Sequence, residues 1–84
     1  MINTPNRKLT RYGLDIATNT HMNGVGMQEL LTKVRLETDD EGFLKPHTVN
    51  NLATMLKVAA RMAPPESKAN FTRMRDFLQE YVSN

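Results

Sequence analysis

The chain contains no cysteine, which excludes disulfide staples, thiolate metal sites and thiol nucleophiles together. A chain this small without staples suits a reducing compartment, so the expected location is the cytoplasm. Long apolar runs are also missing. Nowhere do about 18 apolar residues follow one another as a membrane span requires, and Met1 to Tyr12 holds no apolar stretch of the signal-peptide kind. Neither sign of charge dominates: eleven bases against nine acids leave +2, far from the excess that marks histone-like or RNA-coating proteins. The scarcity that carries information is local. Between Gly42 and Pro65 there is no acid at all, whereas Glu37, Asp39, Asp40 and Glu41 crowd together just before that stretch.

What is present fits one helical domain spanning residues 1–84. At 84 residues a single core is only just sufficient, and a partner subunit often supplies the rest, so a homodimer is an expected state. Apolar residues at 39% are too many for a disordered chain. The pattern predicts an all-α fold, a compact bundle of about four short helices around a central helix over 47–62.

That central helix is the clearest element. Val49, Leu52, Ala53, Leu56, Ala59, Ala60 and Ala63 recur at steps of three and four, with Met55, Val58 and Met62 widening the stripe. Pro46 lies just ahead of it and holds Lys45 extended, which leaves Thr48 or His47 as N-cap; Pro64 and Pro65 end it. The first helix is placed from Pro5 to Thr18, with Thr4 as cap, Pro5 at the first position, and Leu9, Tyr12, Gly13, Ile16 and Ala17 on one face beside Leu14. Thr18 to Gly26, rich in polar residues and glycine, reads as a loop. A second helix runs from Met27 to Glu37 on Met27, Leu30, Leu31 and Val34, with Glu29 and Lys33 four apart in the favourable order. The last runs from Glu66 to Val82 on Phe71, Met74, Phe77, Leu78, Tyr81 and Val82. Leu31, Val34, Leu52, Leu56, Phe71, Met74 and Leu78 are expected in the core, joined by Phe43 and Leu44.

Helix, acidic loop, helix over Glu37 to Thr48 resembles an EF-hand in outline. With Gly42 at the sixth place, Glu37, Asp39 and Glu41 take places one, three and five. The closing place, where a bidentate glutamate completes the shell, holds Thr48, and the ninth holds Lys45. No metal and no cofactor is therefore expected. Catalytic residues are not expected either. Ser67 and Ser83 have no base beside them, His21 and His47 have no acid at a telling spacing, and Asn23-Gly24-Val25-Gly26 lacks the spacing and lysine of a phosphate loop.

The remaining signal is the polar strip of the central helix. The second helix, turn and central helix also resemble a helix-turn-helix in general plan, with the start of the central helix where such proteins present base-reading side chains. In that reading Asn50 or Asn51 offers the bidentate pair for adenine, Lys45, Thr48, Lys57 and Arg61 hold phosphates of double-stranded DNA, and His47 and Thr54 complete the surface. The turn from about Thr38 to Pro46 exceeds the usual three or four residues, and its acids oppose a backbone carrying one charge per ~1.7 Å. The alternative is a protein-binding inhibitor or adaptor of the compact kind that phages and mobile elements encode, acting through an exposed helix face. In either case the expected role is regulatory or accessory, and an enzyme comes third.

Overall fold

A computed structural model gives the fold and describes residues 8–22, 28–35 and 37–82. Four helices follow one another: α1 (Arg11–His21), α2 (Gln28–Arg35), α3 (Pro46–Met62) and α4 (Pro65–Gln79). Among the described residues there is no strand, and the protein is a small all-α bundle. No helix among them is long and apolar enough to cross a membrane.

The spine of the bundle is the α3–α4 pair, with α1 packed on α4 as well. From α3 the buried apolar set is Val49, Leu52, Ala53, Leu56 and Ala60, on the three- and four-residue stripe predicted from sequence. From α4 it is Phe71, Met74 and Leu78, with Phe77, Tyr81 and Val82 half-buried beside them. Leu31 and Leu44 are buried too, and Val34 packs against the core from its edge. Of the methionines, Met22 and Met74 fill core space and Met62 faces solvent.

Prolines set the ends of the spine. Lys45 is extended (φ −66°, ψ 144°) and α3 begins at Pro46 itself, not at His47 with a side-chain cap. Proline at the first helical position gives up only an amide that no turn would use. At the far end Ala63 is extended (φ −72°, ψ 150°), as a residue before proline must be, and Pro65 takes the first position of α4. The fourth helix stops at Gln79, short of the predicted Val82, because Glu80 and Tyr81 close on Phe77 and Leu78 as turns.

The first helix departs most from expectation. It is capped by Thr10, whose hydroxyl accepts from the Gly13 amide at 2.9 Å, and Lys8 and Leu9 before it are not helical. Thr4 and Pro5, the start predicted from sequence, lie outside the described residues. The helix continues through Thr18 to His21, into the predicted loop. The hydroxyls of Thr18 and Thr20 there donate back to the carbonyls of Leu14 and Ile16 at 2.7 and 2.8 Å, so these side chains are satisfied within the helix. The inner face of the helix is Leu14, Ala17 and Thr18, followed by Met22, while Tyr12 and Ile16, expected on one face with Leu9 and Ala17, are exposed. A Cβ on Gly13 would meet the Thr10 cap hydroxyl at 3.1 Å, a local reason for glycine in the first turn. Gly24, Gly26, Met27 and the Glu29 side chain lie outside what is described.

The acidic segment folds as a tight turn. Asp39 accepts from the amides of Glu41 and Phe43 at 2.9 and 3.0 Å, and Gly42 turns the chain at φ +88°. Isolated antiparallel bridges then tie Thr38 to Leu44 and Thr10 to Phe43. The Leu44 amide donates to Leu9 at 2.8 Å and the Arg11 amide to Gly42 at 3.0 Å. These bonds seat the chain ahead of α1 against the chain ahead of α3.

Candidate interaction face on the central helix

A helix advances 100° per residue, and the buried stripe of α3 is centred on Leu56. The opposite arc therefore carries His47, Asn50, Asn51, Thr54, Lys57, Val58, Arg61 and Met62. All are exposed except Asn50, which is half-buried. Lys57 and Arg61 stand one turn apart, and neither forms an ion pair among the described residues. The Thr54 hydroxyl donates to the Asn50 carbonyl at 3.0 Å, leaving its lone pairs outward. No acid interrupts the arc.

Two of the strip residues named from sequence are placed differently. Thr48 is only 3% exposed and lies off the outer face. Its hydroxyl donates to the Glu37 carboxylate at 2.9 Å, so it presents nothing to a phosphate. His47 is exposed, but its Nε2 lies 3.2 Å from the same Glu37 oxygen. The Thr48 hydrogen bond, then the His47 hydrogen bond and the nearby positive charges of His47 and Lys45, hold the Glu37 carboxyl below its ordinary range. This anion also sits at the N-terminal end of α3, where the helix dipole favours it. Lys45, at the N-cap, is exposed beside this cluster.

Glu37 was not legible as a functional or structural partner of α3. The two halves of the contact lie ten and eleven residues apart, and no local periodicity links them. The turn role of Asp39 had a signal, since an aspartate shortly before a glycine is the chemistry of a side-chain-capped turn. Both carboxylates that an EF-hand would use first are thus occupied, Glu37 on α3 and Asp39 on two amides. Among the described residues no group of three acid or histidine side chains is arranged to hold a metal ion.

Val58 and Met62, expected to widen the core stripe, instead stand in solvent at 41% and 80% exposure. Both lie outside the buried arc of α3 centred on Leu56. The outer face of α3 therefore carries Asn50, Lys57 and Arg61 along one edge and Val58 and Met62, with Asn51 between them, along the other. The buried face of α3 lies chiefly on α4 and not on α2. A helix-turn-helix unit packs its two helices on each other, and here the Glu37–Lys45 turn separates them. No family model, curated protein or solved structure matches this chain. Its chemistry is therefore read from the residues alone.

A second surface lies at the start of α1. Thr10, Arg11, Tyr12, Asp15, Glu41 and Gly42 border an open depression between the helix and the acidic turn.

Proposed function

We propose that this chain is a small non-enzymatic accessory protein that binds a protein partner through the outward face of α3. The observation that carries the reading is the combination, on one helix face, of Lys57 and Arg61, exposed and without an ion pair among the described residues, with exposed Val58 and Met62. The cations select an acidic surface and suppress association with a basic one. The apolar edge supplies affinity, since fully burying a side chain of this size contributes about 1.5–3 kcal/mol. The partner is thus a protein surface with an apolar ridge flanked by carboxylates.

The test places a photo-crosslinking amino acid at Met62. An adduct is expected from cell extract that disappears when Lys57 and Arg61 are replaced by glutamate, and none with the crosslinker at Gln79 on α4. No adduct at Met62, or one indifferent to the charge reversal, refutes the reading.

Double-stranded DNA is the second reading, favoured by the acid-free arc of Asn50, Asn51, Thr54, Lys57 and Arg61. Phosphates gain nothing from Val58 and Met62, however, and the Glu37 carboxylate stands at the helix end where a helix-turn-helix presents its base-reading side chains. A titration against mixed duplex DNA at about 50 mM salt separates the two, because even non-specific binders register there at micromolar concentration. Binding with a salt slope that falls by about 1.8 on replacing Lys57 and Arg61 by alanine, about 0.9 per phosphate contact, would establish DNA as the partner.

A further inference from the structure

We infer that Met62 is a reversible oxidation site, at which hydrogen peroxide adds one oxygen to the folded protein and thereby closes the outward face of α3 to its partner. The closure rests on the partner reading of α3 given above, whereas the oxidation stands on exposure and sulfur chemistry alone.

The chain has no cysteine, so the thiolates that ordinarily meet peroxide first are absent and its reactive sulfur lies in methionine. The surroundings of those thioethers differ. Met22 and Met74 are buried in the core, and Met55 is half-buried against it. They meet an oxidant only when the core opens, and the cost of opening slows their reaction. Met62 is 80% exposed in the last turn of α3, so its side chain meets solvent with the fold intact.

In the reaction the thioether sulfur gives an electron pair to one peroxide oxygen. A sulfur–oxygen bond forms, the oxygen–oxygen bond breaks, and the departing hydroxide takes the proton of the transferred hydroxyl to leave as water. The sulfur is oxidised by two electrons to the sulfoxide. Two thiols of a methionine sulfoxide reductase system return the electron pair, becoming a disulfide and releasing the oxygen as water.

Position gives the change its consequence. Val58 stands one turn before Met62, and a helical side chain leans over the turn that precedes it, so the two extend one apolar edge. The sulfoxide places a polar acceptor on that edge. An apolar ridge on the partner offers no donor, and seating an unsatisfied acceptor there weakens binding at least about tenfold. No core atom is altered, so the protein stays folded while its face changes.

Peptide mapping of the folded full chain after dilute hydrogen peroxide tests the site. Met62 should oxidise at least about tenfold faster than Met22 or Met74, and the melting temperature of the Met62 sulfoxide form should move by less than about 4 °C. A photo-crosslinker at Val58 then tests the closure in cell extract. Its adduct should be lost on oxidation, restored by methionine sulfoxide reductase, weakened without oxidant in Met62→Gln, and indifferent to peroxide in Met62→Leu. Met22 or Met74 oxidising as fast as Met62, or a sulfoxide form that unfolds, overturns the inference. So does an adduct that survives oxidation of Met62, which leaves the partner reading standing. An adduct missing from the untreated protein instead removes the partner reading and the closure together, and the order of oxidation alone then decides the site.

Discussion

Replacing Leu56 by alanine is the sharpest perturbation of this fold. Leu56 lies at the centre of the α3 stripe with no exposed surface, in the cluster with Leu52, Met74 and Leu78. Truncation removes three carbons, and at about 0.8 kcal/mol each the lost transfer energy is about 2.4 kcal/mol. The cavity left behind adds to this, because neighbours on two helices relax only partly, giving an expected cost of about 2–5 kcal/mol. A domain of this length has a total stability of roughly 4–13 kcal/mol, so the variant forfeits a large share of it. At about 4–8 °C per kcal/mol the melting temperature should fall by at least roughly 8 °C. Urea denaturation followed by circular dichroism measures the loss, with an unchanged slope showing that the unfolded state is the same. Met62→Ala on the same helix supplies the contrast and should change stability by less than about 0.5 kcal/mol. Equal losses in the two variants, or a Leu56→Ala protein as stable as wild type, would refute the packing argument.

Three further outcomes follow from the acidic segment. The Glu37 carboxyl titrates below its ordinary value of 4.5 in the folded protein, so its contribution is complete above that pH and is lost as pH falls through the lowered folded value. The stability difference between wild type and Glu37→Gln should therefore be constant at neutral pH and shrink in acid, and a difference that grows below pH 4.5 would contradict the hydrogen bond from Thr48. Gly42→Ala meets no atom within 4 Å, so its cost is the backbone strain at φ +88° alone, about 1–2 kcal/mol in a thermal melt. Calcium at millimolar concentration should leave the melting temperature unchanged, since Asp39 is turned onto two amides and Thr48 stands at the closing position; stabilisation by calcium and not by magnesium would show a missed shell.

Where the organising interaction is local, the chain order alone determined the outcome. The stripe of α3 is a repeat of three and four, and the prolines at 46, 64 and 65 act on their immediate neighbours, so the spine, the corner between its helices and Leu52, Leu56, Met74 and Leu78 as core were readable, while the end of α4 was not. What only the tertiary structure decided involves groups far apart in sequence. Thr4 with Pro5 and Thr10 are both plausible starts for the first helix on local chemistry. The bonds from Arg11 to Gly42 and from Leu44 to Leu9 hold Leu9 and Thr10 out of the helix, which makes Thr10 the cap, and the side on which α1 meets the core leaves Tyr12 and Ile16 exposed. The width of the α3 stripe was equally undecidable. An apolar residue at its edge is core only if another element covers it, and Leu56 is fully covered whereas Val58 and Met62 are exposed. Likewise Thr48 reads as an exposed cap until Glu37 arrives on it from eleven residues away. Periodicity states which residues share a face, and only the placement of the neighbouring helices states which part of that face meets water.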